Sequence, residues 1–473
     1  MPDAVVVGAG PNGLAAAVEL ARTGLSVLLV EANEAVGGAA RTEEATLPGF
    51  MHDVGSAVYP LGIGSPFFSS LPLSEFGLEW VHPDVPLAHP LEDRPAVLLE
   101  RSLSETALPL GPDAGAYGAL LRPFVEQWPA FSRAVLGDPL QPAFAPLLLG
   151  RFARVGLPSA EAVARRFRAA EARALFAGNA AHAGPSLGSA MTAAVGVTLM
   201  AAGHAVGWPM PRGGAGSLTG ALARYFTSLG GVIETGRRVR SLRELPPASA
   251  VLLALTHRQV AAIAHAELPT GWRARAARWR MGPGAFKVDW ALDGPIPWTD
   301  PAVARAGTVH LGGTFDEIAD SERQPRRRLV HERPFVILAQ PTLFDPSRAP
   351  AGRHTAWAYC HVPNAWDGDA TGRIEAQVER FAPGFRDRIL ERAVWSPARL
   401  EAWNANLIGG DVNGGAFTFG QTLGPARWPL RGWKTPTAGL YVCSASTPPG
   451  GGVHGMAGYH AAHMALRHTF GLR

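Results

Sequence analysis

Three glycines near the start of the chain have the spacing of a phosphate-binding turn. Gly8, Gly10 and Gly13 follow an apolar run, residues 4–7, and precede a stretch with apolar side chains at helical spacing, residues 14–21. This order predicts a buried strand, a tight turn and a helix whose first N–H groups face the pyrophosphate of a dinucleotide. The predicted contacts in this turn are Gly8, Gly10, Pro11, Asn12 and Gly13.

The second predicted strand, residues 26–31, ends in an acidic residue. Glu31 can accept hydrogen bonds from the ribose hydroxyls of an adenosine, and its negative charge repels a 2′-phosphate. The residue that follows, Ala32, is the next predicted contact. A strand before the glycines, a helix after them and an acid at the next strand end favour NAD or FAD and argue against NADP.

The segment after this strand, EANEAVGGAART at residues 31–42, contains a second glycine pair. A second close approach of the backbone is useful when a larger cofactor runs across it. The segment resembles the double-glycine element of FAD enzymes in the flavin amine oxidase and phytoene desaturase superfamily. Many members have Arg directly after the glycines, whereas here Arg41 follows two places later. The predicted contacts are Gly37, Gly38, Ala39, Arg41 and Thr42.

The same resemblance continues at three further places, within residues 48–60, 208–242 and 439–466. The first resembles the family's segment after the glycine pair, and the second resembles an element that re-enters the cofactor domain as a helix and a strand pair ending near Val239. The third, a strand, a PPGGG loop and a helix starting near Met456, resembles the C-terminal FAD motif of phytoene desaturase-like oxidoreductases. The predicted contacts in these segments are Gly55, Ser56, Val239, Ser446, Gly451, Gly452, Val453 and His454.

The resemblance covers nearly the whole chain and implies an α/β fold with a discontinuous Rossmann-type FAD-binding domain. We expect this domain to comprise residues 1–64, 205–289 and 431–473. An interleaved α+β substrate domain is expected over residues 65–204 and 290–430. Relatives include bacterial phytoene dehydrogenase-like proteins and proteins named pyridine nucleotide-disulfide oxidoreductase-like, although the chain lacks the redox cysteines that the latter name implies.

Two residues are candidates for catalysis. Lys287, on an apolar strand pattern, matches the lysine that flavin amine oxidases hold near the flavin's reactive nitrogen through a water; the alternative is an outward-pointing strand lysine. His454, in the glycine-rich C-terminal loop, is a candidate acid/base or donor to the ring, and the alternative is a loop histidine bonded to the backbone. His182 and His204, which flank an apolar segment, are candidates to line the pocket.

Composition excludes several other functions. The formal net charge is +4, but 43 basic residues are scattered without the basic stripe that nucleic-acid binding needs. No spacing of His, Cys, Asp or Glu suits a metal. The two cysteines form no C-x-x-C motif. The chain starts directly on a predicted strand without a signal-peptide pattern, and we expect a cytoplasmic protein.

An apolar stretch, residues 174–211, contains no Asp, Glu, Lys or Arg. A transmembrane span over residues 187–206 would put Gly8 and Gly213 on opposite sides of a bilayer, although the resemblance assigns both to one domain. We therefore expect a buried wall of a substrate cavity, or at most a surface that dips into lipid. The basic stretch at residues 151–176 is either a peripheral membrane contact or a solvated helix.

These observations favour an FAD-dependent oxidoreductase that removes hydrogen from an apolar substrate, with isoprenoid and carotenoid-like molecules as candidates. Because no second strand–GxGxxG–helix unit follows, we expect electrons to pass to oxygen or a quinone rather than to a resident nicotinamide. Two alternatives stay open: an oxidase of amines or amino acids, and a flavoprotein that keeps the fold as a non-catalytic scaffold. The sequence indicates no oligomeric state.

Overall fold

The computed structural model describes residues 1–138, 145–422 and 432–472. The strands among them are β1 (Ala4–Val7), β2 (Val27–Val30), β3 (Thr42–Glu44), β4 (Met51–Asp53), β5 (Trp80–Val81), β6 (Val85–Leu91), β7 (Arg94–Leu99), β8 (Met210–Pro211), β9 (Val232–Glu234), β10 (Ala250–Leu253), β11 (Gly284–Leu292), β12 (Ala306–Leu311), β13 (Val336–Ala339), β14 (His354–Val362), β15 (Ile389–Trp395) and β16 (Leu440–Val442).

The α-helices of the described residues, which are joined by loops and short 3₁₀ turns, are α1 (Pro11–Ala21), α2 (Pro60–Ile63), α3 (Leu103–Ala107), α4 (Ala114–Glu126), α5 (Trp128–Val135), α6 (Pro146–Gly156), α7 (Ala160–Ala164), α8 (Ala170–Ala181), α9 (Thr192–Ala205), α10 (Ala215–Ser228), α11 (His257–Ile263), α12 (Thr270–Ala277), α13 (Phe315–Arg323), α14 (Thr371–Phe381), α15 (Pro397–Trp403), α16 (Phe419–Thr422) and α17 (Met456–Ala465). This mixture of strands and helices is the α/β class that the sequence predicted.

Five strands form a parallel sheet in the order β16-β10-β1-β2-β9. The predicted strand at residues 26–31 is shorter in the structure, as β2, and the predicted strand pair before Val239 is the single strand β9. The register pairs Val7 with Val30 and with Leu253, and Leu253 with Val442. The four strands therefore end side by side, and the loops that follow them meet at one edge of the sheet.

Helix α1 begins at the turn that the three glycines form. Gly8 has a φ of +99°, which favours glycine, and a Cβ on Gly13 would lie only 1.8 Å from the Gly8 carbonyl oxygen. Helix α17 packs on the other side of α1, where a Cβ on Gly458 would lie 1.9 Å from the Asn12 carbonyl oxygen. Because Gly13 and Gly458 have no side chain, the turn after β1 and the two helices can pack in direct backbone contact.

A second, seven-stranded sheet has the order β15-β11-β14-β13-β12-β6-β7 and is mostly antiparallel. One face of β11 carries Phe286, Val288 and Trp290, which lie in an apolar core with helix α14. The alternate positions, Lys287 and Asp289, point to the opposite face, as the two-residue period of a strand requires. This polar face is turned toward the five-stranded sheet.

The apolar stretch that resembled a membrane span is a pair of packed helices, α8 and α9. Most of their side chains are buried, against each other and against α4. None of the helices in the described parts of the chain is long and apolar enough to cross a bilayer.

The basic stretch at residues 151–176 spans three helices rather than one, because the chain turns at Pro158 and again before Ala170. On α6, the exposed side chains of Leu147, Arg151 and Arg154 follow a helical spacing. A peripheral membrane contact through this face stays a prediction.

Of the domain boundaries that we predicted, one divides a strand and another lies outside the described residues. The boundary between residues 289 and 290 falls inside β11, whose whole length pairs with β14 and most of it with β15. We propose to place this boundary before Gly284, so that the seven-stranded sheet stays in one unit. The boundary between residues 430 and 431 lies outside the described residues.

Two alanine substitutions test the backbone contact under α1. In Gly13→Ala the added Cβ overlaps the Gly8 carbonyl, so we expect the melting temperature to fall by roughly 5 °C or more. Gly10→Ala is the matched control, because φ at Gly10 is −73° and the nearest atom would lie 3.7 Å away. Thermal unfolding followed by circular dichroism measures both variants. Equal melting temperatures would contradict the proposed packing constraint.

Candidate active site

A cavity of about 440 Å³ lies between the carboxyl edge of the parallel sheet and the polar face of the seven-stranded sheet. One end is lined by the loops that follow β1, β2, β10 and β16, at Gly8, Glu31, Ala254 and Ser444. Loops at the carboxyl edge of a parallel sheet are the usual place for a ligand in such folds. The other end is lined by side chains from β11 to β14 and from α9.

The first turn of α1 leaves donors free for a ligand. Gly10, which precedes the helix, supplies no capping side chain, and the first turn contains no acidic residue. The Asn12 side chain, which lines the cavity, has a buried Oδ1 without a hydrogen-bond partner, which is a free acceptor and not a further donor. Unsatisfied N–H groups and the positive end of the helix dipole favour an anionic group here.

Glu31 is buried at the end of β2, and its carboxylate organises the adjoining backbone. Its Oε2 accepts the Ala9 N–H at 2.7 Å, and its Oε1 accepts the backbone N–H of Asn33 at 2.9 Å and the Asn33 side-chain amide at 2.8 Å. A carboxylate has about four acceptor positions. One position on Oε2 is thus left for a ribose hydroxyl.

Most of the predicted contacts line this one cavity. They come from five separated segments of the chain and are Gly8, Gly10, Pro11, Asn12, Gly13, Glu31, Ala32, Gly38, Ala39, Gly55, Ser56, Val239, Ser446, Gly452 and Val453. The candidate catalytic residue Lys287 lines it as well.

Three predicted contacts after β2 do not line the cavity. The Gly37 N–H donates to the Ala9 carbonyl at 2.8 Å. Arg41 lies over the Trp403 ring at 4.3 Å, with its Nε 3.3 Å from Glu43. Thr42 donates its hydroxyl to Asp53 at 2.7 Å. All three are engaged with protein groups, so their places in the structure give no support for the predicted cofactor contacts.

His454 and Gly451 also lie outside the cavity lining. The His454 ring is fully buried, and its Nδ1 accepts the Met456 N–H at 3.1 Å at the start of α17. Burial lowers the pKa of His454 to about 4, so the ring is neutral. This placement matches the alternative of a backbone-bonded loop histidine and not an acid/base. Gly451 packs against Asn413, which lines the cavity in its place.

Lys287 points inward, and the alternative of an outward strand lysine is wrong. Its Nζ lies 2.5 Å from the Asp289 carboxylate, which also accepts the Trp395 indole N–H at 2.8 Å. The ammonium lies 5.3 Å from the centre of the Trp357 ring. Burial lowers the pKa of Lys287, and the carboxylate of Asp289 acts against this shift. The pair places a buried amine on the cavity wall.

Aromatic and apolar side chains form the rest of this end. Trp357 and Tyr359 lie two positions apart on β14 and therefore share a face, where their rings stack with centroids 6.1 Å apart. Leu199, from the apolar helix α9, also lines the cavity, as expected for a buried wall. His182 lines it too, whereas His204 does not and bonds to the Tyr117 hydroxyl at 2.7 Å.

Sequence reasoning missed several lining residues that follow strands or lie in loops. Thr256 and Gln259 follow β10, and Asn406 joins them by accepting the Thr256 N–H at 3.0 Å. The apolar run that forms β10 was the available signal, because the carboxyl end of β10 lies at the same edge as that of β1. Arg238 lines the nucleotide end.

In the part of the chain that the structure describes, no group of three or more His, Cys, Asp or Glu side chains is arranged to hold a metal ion. Both cysteines, Cys360 and Cys443, are buried free thiols. Burial raises the pKa of each thiol, so neither has the character of a reactive thiolate.

Comparison with known proteins agrees with this geometry. Residues 6–69 match the family model of the NAD(P)-binding Rossmann-like domain. The pyridine nucleotide-disulfide oxidoreductase domain-containing protein 2 of Rattus norvegicus is 27% identical, over 98% of this chain and 93% of that protein. The phytoene dehydrogenase of Streptomyces griseus is 27% identical, over 95% of this chain and 92% of that protein.

Solved structures share the fold over the same length. An oxidoreductase from Methanosarcina mazei aligns with a TM-score of 0.63 at 18% identity, covering 98% of this chain and 99% of that one. The cyclohexylamine oxidase of Brevibacterium oxydans aligns with a TM-score of 0.59 at 17% identity, covering 98% and 97%. Over nearly its whole length the chain is thus similar to oxidoreductases, and its N-terminal segment matches a Rossmann-like nucleotide-binding domain.

Proposed function

We propose that the protein binds FAD in this cavity and oxidises an apolar molecule. The supporting observation is the continuity of one cavity from the free first turn of α1 to the apolar end beside Lys287. The nucleotide end fits the ADP half, with helix N–H groups for the pyrophosphate and an acceptor position on Glu31 for the ribose. The close approach of Gly10 and Gly38 leaves only backbone where the cofactor would pass.

A flavin bound there would supply the acceptor for a hydride from a substrate C–H bond. The chain's own contribution is to position the substrate and to exclude water. Trp357, Tyr359 and Leu199 present apolar surface, which suits a hydrocarbon of the isoprenoid or carotenoid-like kind. The phytoene dehydrogenase relative, matched over 95% of this chain, supports the same substrate class.

Lys287 is proposed to hold a proton or a water at the reaction centre. Its Nζ is one of the few charged atoms at the substrate end. The Asp289 carboxylate, which does not line the cavity, pairs with the ammonium and holds it in place. Because a buried amine with a lowered pKa exchanges protons more readily, it suits this task. Oxygen or a quinone is the proposed acceptor of the electrons.

An oxidase of amines is the second candidate. The buried lysine and the fold shared with cyclohexylamine oxidase favour it. Among the described residues that line the substrate end, however, none is acidic, and the nearby Asp289 carboxylate is already paired with Lys287, so no free carboxylate is available for an ammonium group. The chemistry of this wall favours an uncharged substrate.

The first prediction of the proposed function concerns the cofactor and the substrate together. Purified protein should be yellow or become so with FAD, and anaerobic addition of a polyene or isoprenoid should bleach the flavin absorbance. Stopped-flow spectroscopy with carotenoids, isoprenoids, amines and nicotinamides measures the bleaching, and oxygen or quinones then test reoxidation. Protein that stays colourless with FAD would defeat the proposal. Bleaching by amines alone would favour the second candidate.

The second prediction concerns Lys287. We expect Lys287→Met to slow the reductive or the oxidative half-reaction about 10-fold or more, because the positioned proton donor is lost. The chain offers a matched control in Lys434, its only other lysine, which is exposed. Lys434→Met should leave both half-reactions unchanged. Flavin affinity and melting temperature should be measured in parallel, because the substitution leaves Asp289 buried without its cation. Unchanged half-reactions in a folded Lys287→Met would remove this role.

A further inference from the structure

Two histidines form a bonded pair beside the apolar end of the cavity. The Nε2 atoms of His182 and His310 lie 2.8 Å apart. The His182 ring lines the cavity and packs edge-on against Trp208, whereas His310 is fully buried behind it. Burial lowers the pKa of His182 to about 3 and that of His310 well below its usual value, so both rings are neutral.

The tautomers of this pair follow from what surrounds His310. Its Nδ1 is buried without a hydrogen-bond partner, and α8 passes so close that a Cβ on Gly178 would lie 2.5 Å from that nitrogen. A buried N–H without an acceptor is costlier than a buried acceptor without a donor. The His310 proton is therefore on Nε2, where it is donated to the Nε2 of His182.

This assignment leaves the proton of His182 on Nδ1. Among the described residues Nδ1 has no partner, and the ring lines the cavity. His182 thus presents an N–H donor at an otherwise largely apolar wall. His89 has the same arrangement as His310. Its Nε2 bonds to the Gly313 carbonyl at 2.7 Å, and its buried Nδ1 has no partner.

The register of the seven-stranded sheet places this donor far from Lys287. Lys287 pairs with Tyr359, Tyr359 with Ile337, and Ile337 with His310. Three strand spacings separate the backbones of Lys287 and His310, which is about 14 Å. A molecule that reached from the lysine to His182 would span most of the apolar end.

We propose that His182 is a specificity-determining residue, which binds a neutral oxygen acceptor at the end of an apolar substrate remote from the oxidised carbon. This inference deepens the proposed function, because it assigns the substrate to ketones, aldehydes, alcohols or ethers with a long hydrocarbon part. A carboxylate would lose its hydration at this largely apolar wall and gain only one neutral N–H in return, and that N–H would repel an ammonium group.

Paired ligands test this assignment. Geranylacetone has a methyl ketone at one end of an isoprenoid chain, and its analogue with a methylene group in place of the oxygen has nearly the same shape. We expect the FAD-loaded protein to bind the ketone about 5-fold more tightly, the effect of one neutral hydrogen bond. The flavin spectrum and tryptophan fluorescence report both dissociation constants, and the fluorescence measurement needs no flavin.

Substitution at His182 should remove this preference. In His182→Phe the two ligands should bind equally, with the hydrocarbon affinity within about 2-fold of the original protein. Thr308→Val and Trp357→Phe are matched controls, because both residues line the cavity and carry buried polar atoms without partners. Both controls should keep the preference for the ketone.

The outcomes separate this inference from the proposed function. Equal binding of the two ligands to the original protein, or loss of the preference in a control but not in His182→Phe, would overturn the role of His182 even if isoprenoids bleach the flavin. If His182→Phe does not fold, the infrared carbonyl band of bound geranylacetone decides. A band shifted to lower frequency in the original protein and in both controls supports His182, and an unshifted band overturns its role.

Discussion

A single buried carboxylate connects the separate parts of the chain around the cavity. Asp53 accepts the Thr42 hydroxyl at 2.7 Å and the Ala215 N–H at 2.8 Å through Oδ1, and its Oδ2 lies 3.0 Å from the Arg348 guanidinium. Asp53 and Arg348 are fully buried. Removing one partner of such a pair leaves a buried charge without compensation. The hairpin after the glycine pair, the start of α10 and a segment remote in sequence therefore depend on one another for their positions.

The seven-stranded sheet gives the cavity its chemical character because its two faces differ. On one face Phe286, Val288 and Trp290 pack into an apolar core, as an enclosed sheet requires. On the other face polar side chains such as Lys287 and His310 alternate with apolar ones. The strand period places a partner for Lys287, since Asp289 lies two residues on. His310 instead bonds to His182, which follows a helix outside this sheet.

The nucleotide end could be predicted from the sequence because local chemistry determines it. Gly8, Gly13 and Glu31 act within one strand–helix–strand unit, so their spacing carries the geometry. Arg41 was less predictable, because its guanidinium lies over Trp403, which is remote in sequence. His454 was less predictable because its ring turns to the backbone N–H of Met456, two residues on, and away from the cavity. A motif indicates that the backbone comes near the cofactor but not where each side chain points.

The residues of the substrate end could not be predicted from the sequence for a related reason. The two ends of the cavity also differ in charge, and this difference determines what each end can bind. Its residues come from strands whose neighbours are set by tertiary pairing, so nothing local links Lys287 to His182. The result is a cavity graded in charge. The free helix terminus and Arg238 attract an anionic group at one end. At the other end Asp289 compensates the charge of Lys287, and the surface offered to a substrate is neutral. An anionic cofactor and an uncharged substrate can therefore share one cavity without competing for its ends.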